Sequence, residues 1–300
     1  MTAILIERAG PLATVQDRGR FGALSYGISA SGPMDRSAFQ TAAGMLAGAG
    51  QAGIEFTRAG LGFSVQGSFV EAAFAGGDFR LTVNDRQLAW PARVRLQHGD
   101  KVEVTAGASG NYGYVRFGAE IDVPVVLRSR ATNIVAGLGG YNGRALKGGD
   151  WLSLVPASAL SPTAGRGGRS SRTGPIRVVW GLHADLFDAS SRLHLEGTEF
   201  EVSHRLDRMG VRLSDPRQGF SGHRGLSLVS DAIVPGDIQI LGDGTPIVLM
   251  RDHQPTGGYP RIATVISADL DRFAQLRPGT TVRFEPVTPK RARALLLESV

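Results

Sequence analysis

Apolar residues along this chain come in short runs, each closed by Gly, Pro, Asp or Asn. Runs of this length, rich in β-branched and aromatic types, predict strands. TAILIE opens the chain, and FVEAAFAG, DFRLTV, KVEVTAG and YGYVRFG follow. DWLSLVP, IRVVWG, EFEVS, DIQIL, PIVLM and VRFEPV fill the second half. Many short strands with little helix between them predict barrels or sandwiches.

Helical spacing shows in two places. From about Asp35 to Leu46, after Pro33, Ala38, Phe39, Ala42, Ala43 and Leu46 share one face. From Ala268 to Leu276, Ser267 reads as the N-cap, Asp269 suits the positive end of the helix, and Pro278-Gly279 stops it. The tail from Lys290 to Leu297 also reads as helical. Between the two β-rich halves lies ASALSPTAGRGGRSSRTGP, residues 157–175, without periodicity and rich in Ser, Gly and Arg. Such a segment buries too little apolar surface to offset its ordering entropy, so it reads as a linker or loop. The expected organisation is an N-terminal β-rich domain over 1–156, the linker over 157–175, a C-terminal β-barrel domain over 176–289, and a tail over 290–300.

Composition narrows the function classes. Three hundred residues suit two domains, each with its own core. The net charge of +6 is local: Arg166, Arg169 and Arg172 sit in the linker, and Lys290, Arg291 and Arg293 in the tail. That distribution argues against a nucleic-acid face, which needs basic residues massed on a folded surface. The absence of cysteine excludes thiol catalysis, thiolate metal sites and disulfides. The six histidines (98, 183, 194, 204, 223 and 253) lack metal-ligand spacing, so no metal is expected. MTAILIERAGPL lacks the charged start of a signal peptide, and no apolar run nears the ~18 residues of a membrane span, so a cytoplasmic protein without membrane contact is expected. No nucleophile elbow or P-loop appears. The glycine-rich GLGGYNGRALKGGD, residues 137–150, precedes a strand and reads as a turn cluster.

Four segments carry candidate chemistry. In VQDRGRFGALSYGISASGPMD, Asp17 and Arg18 alternate with glycines, and Gly32-Pro33 leads through Asp35 into a helix whose N-terminus suits an anion. A β-bulge before an ordinary Pro-started helix is the plainer alternative. In VSHRLDRMGVRLSD, Asp207 stands beside Arg208 and can orient its guanidinium toward a carboxylate, or form a weak surface pair. Glu55, just before FTRAGLGF, is either an inward carboxylate or, taken singly, a strand-end charge. The fourth segment leaves the apolar run Ile247–Met250 through Arg251, Asp252, His253 and Gln254, turns at Thr256, Gly257 and Gly258, and returns past Tyr259. It combines both signs of charge, an imidazole, and amide and hydroxyl donors, a mix suited to a small polar amide or carboxylate.

These motifs, with AGIEFTRAG, GGYNGRALKGGD and GDIQILGDGTPIVLMRDHQPTGGYPRIATVISADLDRFAQLRPGTTVRF, carry a family resemblance. The chain resembles the KipA-like proteins, also called allophanate hydrolase subunit 2-like proteins or C-type subunits of 5-oxoprolinase, related to half of the carboxyltransferase region of biotin-dependent urea carboxylase. The resemblance implies a mainly β fold of two cyclophilin-like β-barrel units with a few short helices. It implies two partners, a KipI-like B-type subunit of the same enzyme together with its A-type subunit. With them the chain would take part in the ATP-dependent opening of 5-oxoproline to glutamate, ATP being used through those partners. Two alternatives follow from other relatives: a urea or amide carboxyltransferase taking biotin from a separate carrier, and a non-enzymatic antagonist that binds a KipI-like kinase inhibitor. The expected site joins the RDHQPTGGY loop and the LDRMG turn with Asp17 and Arg18. In it Arg208 or Arg251 holds a carboxylate, the Gly257 and Gly258 amides face an oxyanion, and His253 or Asp252, with Asp207 nearby, moves a proton. Pro255 stands where the family usually has Thr, which removes one backbone donor.

Overall fold

The structure, a computed structural model, describes residues 2–157, 173–223 and 227–298. Nearly all of the 157–175 segment, including its three arginines, lies outside the described residues. The chain forms two compact units: Met1–Ala23 with Ala30–Gly167, and Leu24–Ser29 with Gly168–Val300.

The first unit holds two antiparallel sheets. The seven-stranded one runs Glu120–Ile121, Trp151–Val155, Thr2–Ala9, Leu61–Gly67, Lys101–Ala106, Phe79–Val83, Arg86–Leu88. The five-stranded one runs Thr14–Gln16, Gly53–Thr57, Tyr112–Phe117, Val70–Gly76, Ala92–Leu96. Inward residues of both meet in one core that includes Ile4, Ile54, Phe56, Phe63, Phe74, Phe79 and Phe117. Phe56 meets Phe79 edge-on at 5.2 Å, and Phe63 meets Phe117 at 6.0 Å, so aromatic contacts bridge the sheets. Each such ring contributes roughly 1.5–3 kcal/mol by its burial. The sequence pattern passes over Gly53–Thr57 and Leu61–Gly67. Both are buried over most of their length, so neither shows the polar alternation that marks a half-exposed strand. Helix α1, Arg36–Gly44, begins where Asp35 caps it by accepting the Ala38 amide at 2.8 Å.

The second unit is built on eight strands in the order Thr281–Val282, Phe200–Leu206, Gly210–Ser214, Pro246–Leu249, Asp237–Ile240, Arg261–Val265, Ile176–Trp180, Phe284–Pro286. The first and last of these are consecutive in the chain, parted only by Arg283. VRFEPV, predicted as one strand, is thus two. One half pairs antiparallel with Phe200–Leu206, and the other parallel with Ile176–Trp180. The backbone itself links the two edges, which nearly closes the sheet into a barrel and removes the exposed strand edges an open sheet would leave.

Three helices accompany it: α2, Ala189–Gly197; α3, Ser267–Ala274; and α4, Pro289–Glu298. The apolar pattern does not predict α2, because only Ser191 and Leu195 of it are buried. Its start is nonetheless marked by Asp188, which accepts the Ser191 amide at 2.8 Å. In α3 the expected cap shifts by one residue: Ile266 holds the N-cap position without a side-chain bond, and Ser267 is already helical. No helix among the described residues is long and apolar enough to cross a membrane.

Asp269 does more than complement the helix dipole. It is fully buried and accepts the Arg177 amide at 2.8 Å and its Nε at 2.9 Å, with Arg272 at 3.2 Å. Burial pushes its carboxyl up, but the bonds from Arg177 outweigh that and hold it below the usual aspartate range. The unfolded chain therefore takes up this proton first as pH falls. The stabilisation is whole above the ordinary aspartate value and is lost as pH falls through the folded one. Asp269→Asn is expected to lower the melting temperature at pH 7 and to flatten its decline toward pH 3. A variant whose acid limb matches that of the parent chain contradicts this.

Candidate functional site

The predicted residues of the first unit hold a backbone crossing together. Asp17 is buried and accepts the Gly19 amide at 2.9 Å, the Ser129 hydroxyl at 2.6 Å and the Arg130 amide at 2.5 Å. Gln16 takes the Gly32 amide at 3.1 Å and gives to the Thr132 carbonyl at 3.0 Å. Arg20, only 1% exposed, reaches the carbonyls of Val126 and Ala131. Gly32 has φ +85°, and a Cβ there would lie 3.0 Å from the Arg18 carbonyl oxygen, so this crossing admits only glycine. Arg18 points outward, while Pro33 is buried.

Glu55 is not a strand-end charge. It sits in the middle of Gly53–Thr57 with no exposed surface, because the strand is covered on both faces. One of its oxygens, Oε2, accepts the Met34 amide at 2.7 Å and the Tyr114 hydroxyl at 2.8 Å. That hydroxyl in turn accepts the Asp35 amide at 2.8 Å. Burial, then the nearby Glu55 carboxylate, pushes the Tyr114 phenol well up, so it stays protonated and donates. The turn into α1 is therefore held by the chain's own carboxylates, Glu55 before the helix and Asp35 at its cap. Sequence reasoning missed Tyr114. Its signal is an aromatic hydroxyl on an inward position of YGYVRF, where burial demands a partner. Arg116, two positions on, was missed too. Its guanidinium lies 3.9 Å over the Phe39 ring and donates to the carbonyls of Phe39, Gly50, Gln51 and Ala52. Burial pulls its pKa down to about 10.

In the second unit, the LDRMG turn and the RDHQPTGGY loop meet. Arg208 grips Asp252 with Nε at 2.8 Å and a second nitrogen at 3.1 Å, both side chains nearly sealed at 3% and 2% exposure. The Asp252 amide also gives to the Arg208 carbonyl at 2.7 Å, and the Met250 amide to the Met209 carbonyl at 2.8 Å. These contacts extend the pairing of Gly210–Ser214 with Pro246–Leu249 past the last strand residues. Asp207 does not orient Arg208 as expected. Its carboxylate turns back to accept the Met209 amide at 2.7 Å and the Gly210 amide at 3.1 Å. Arg251 is also buried and pairs with Asp271 at 3.1 Å.

His253 follows Asp252 directly in the loop and is buried with it. It is 4% exposed, and its Nδ1 gives to the Gln254 carbonyl at 2.5 Å. A carbonyl only accepts, so the proton sits on Nδ1 and Nε2 carries a lone pair. Nε2 has no hydrogen-bond partner among the described residues, and it is not among the atoms sealed from solvent without one. Burial holds the imidazole below the usual histidine value despite the Gln254 bond and nearby carboxylates.

Gln254, Thr256 and Tyr259 form the exposed rim of the loop. Thr256–Gly257 pairs with Asp231–Ala232, and the Leu228 amide gives to the Gly258 carbonyl at 2.7 Å. A strap over 228–233 thus packs directly on the two glycines. A Cβ on Gly257 would lie 2.7 Å from Gln239 Nε2, and one on Gly258 would lie 2.9 Å from the Leu228 carbonyl oxygen. Close packing accounts for the glycine pair. Arg261 ties the strap down through Asp231 and the Ala232 carbonyl.

Comparison with known proteins gives this arrangement its context. The family model of the carboxyltransferase domain, subdomain A and B, matches residues 26–286. The chain is 35% identical to the C-type subunit of 5-oxoprolinase from Escherichia coli over 93% of this chain and 89% of that protein. It is 32% identical to the corresponding protein of Haemophilus influenzae over 94% and 91%. Its fold matches the crystal structure of the K. lactis urea amidolyase with a TM-score of 0.84 at 28% identity, covering 97% of this chain and 19% of that one. The matched region includes α1, the strand that carries Glu55 and the whole Arg208–Tyr259 constellation, and on that ground the chain belongs to the carboxyltransferase domain, subdomain A and B, family.

Proposed function

We propose that this chain is the C-type subunit of an ATP-dependent 5-oxoprolinase, opening 5-oxoproline to glutamate with two partners, a KipI-like B-type subunit of that enzyme together with its A-type subunit. The observation that carries this reading is the similarity to the C-type subunits of two 5-oxoprolinases over about nine-tenths of each protein. ATP is used through the partner subunits. The chain's own glycine-rich segment folds on itself, with the Gly143 amide on the Gly139 carbonyl at 2.8 Å and the Asn133 amide on the Leu138 carbonyl at 2.8 Å.

In this reading His253 moves the proton. Its neutral ring presents the Nε2 lone pair, which accepts a proton from the water that adds to the lactam carbonyl and returns it to the lactam nitrogen as the C–N bond breaks, leaving glutamate. Arg208 and Asp252 are positioning residues, because each is sealed against the other and together they hold the loop that carries His253. Arg251, the residue before Asp252, pairs with Asp271 and holds the same start of the loop. Gln254, Thr256 and Tyr259 supply polar contacts at the rim.

The test is reconstitution with both partner subunits, ATP and 5-oxoproline. His253→Gln is expected to lower kcat by about 10²–10⁴-fold with little change in KM. Because burial depresses the His253 pKa, the base stays unprotonated through neutral pH, and the acid limb of kcat is expected below the ordinary histidine value. Full glutamate formation by His253→Gln would falsify the assignment. The urea amidolyase likeness favours a second reading, carboxyl transfer to an amide from biotin on a separate carrier. That reading requires dependence on a biotinylated carrier and inhibition by avidin.

A further inference from the structure

A second polar surface of the C-terminal unit lies on a different part of the barrel sheet. Strands Phe200–Leu206 and Gly210–Ser214 pair in register at Val202↔Leu213 and again at Leu206↔Val211. Between those points Ser203, His204 and Arg205 face the single residue Arg212. With three residues against one this is a larger, special bulge, which re-aims side chains that a regular strand would send to opposite faces. The Ser203 hydroxyl accepts the Arg205 amide at 3.1 Å and closes the bulge, leaving its own hydrogen to donate. The result is a groove of about 550 Å³ into which His204, Arg205 and Arg212 project with Ser203, Ser214 and Ser221.

Arg205 and Arg212 bring two positive charges to one groove from adjacent strands, and like charges gathered in one place are unfavourable unless something neutralises them. Among the described residues neither guanidinium is bridged by a carboxylate. Two acids also border the groove, and both hold backbone amides. Asp215 accepts His194 Nε2 at 2.9 Å and the amides of Arg217 and Gly219. Asp243 accepts the Thr245 amide at 2.9 Å. The Thr245 amide and hydroxyl, and then Arg212, hold the Asp243 carboxyl below its usual range. Two guanidinium forks and three serine hydroxyls lining one groove match an anion with three acceptor oxygens.

We propose that this groove binds the phosphate group of a small phosphate-bearing ligand, with Arg205 and Arg212 as its clamp. The site is separate from the His253 loop and does not depend on the reading of that loop.

Inorganic phosphate is the probe, titrated into the full chain in low-chloride buffer and followed by calorimetry and ³¹P line broadening. Saturable binding is expected, weakened about tenfold by Arg205→Gln or Arg212→Gln and abolished in the double variant. A simple phosphate monoester should compete, and acetate should bind far more weakly. Without ligand, the double variant should melt at or above the temperature of the parent chain, since it relieves like-charge opposition. No saturable binding, unchanged binding in the double variant, or acetate as tight as phosphate each overturns the proposal. A marked fall in melting temperature of the double variant also overturns it, because the guanidiniums would then be holding the bulge.

Discussion

Arg208→Met is expected to lower stability by about 3–5 kcal/mol, because it leaves the Asp252 carboxylate buried without its partner. For a unit of this size that is a fall in melting temperature of roughly 10–20 °C. The pair is not itself a large source of stability, since burying two charges costs nearly what their attraction returns. What is expensive is breaking it from one side. The double variant Arg208→Met/Asp252→Leu should therefore recover most of the loss, and thermal melts of the three proteins test this directly. If the proposed 5-oxoprolinase role holds, both forms should lose glutamate formation on reconstitution with the partner subunits, since the loop that carries His253 loses its anchor. The measurement thus separates stability, which the double variant regains, from positioning, which it does not. An Arg208→Met protein that melts with the parent chain would show that the pair is open to water.

Glu55→Leu is expected to be the second large effect, at about 3 kcal/mol. The substitution strands two buried donors, the Met34 amide and the Tyr114 hydroxyl, each of which loses a charged acceptor worth ~1.5–3 kcal/mol, less what the added apolar contact returns. Glu55→Gln is the informative companion. Both donors converge on one oxygen, and an amide oxygen placed there still accepts both. Urea unfolding should rank Leu as far more damaging than Gln. If the two variants are equally destabilised, the negative charge and not the acceptor is what this position needs. Because Met34 and Asp35 lead directly into α1, Glu55→Leu should also speed amide hydrogen exchange over the first turn of that helix, which Asp35 alone would then hold.

Most strands were legible in the chain because their signal is local. Short apolar runs between turn residues, such as KVEVTAG and DIQIL, need only their own residues to mark them. Strands buried on both faces gave less, as Leu61–Gly67 shows, and α2 gave almost none because it turns only Ser191 and Leu195 inward. The candidate loop was legible as an unusual density of polar groups after a buried run. Its partners were not. Asp207 and Arg208 are neighbours in the chain, yet the turn aims one carboxylate at its own amides and sends the guanidinium 44 residues away to Asp252. Glu55, which taken singly reads as a strand-end charge, lies mid-strand between Tyr112–Phe117 and Thr14–Gln16 in a strand buried on both faces.

The residue pattern alone was enough for strand-rich halves, the helix after Pro33, and the motifs by which the chain resembles its family, since each depends on spacing along the backbone. Only the folded barrel decided which charge meets which, how VRFEPV splits to link the two sheet edges, and that His253 spends its Nδ1 on the Gln254 carbonyl. Those features depend on register between strands distant in the chain, and a ladder joins residues that no local pattern relates.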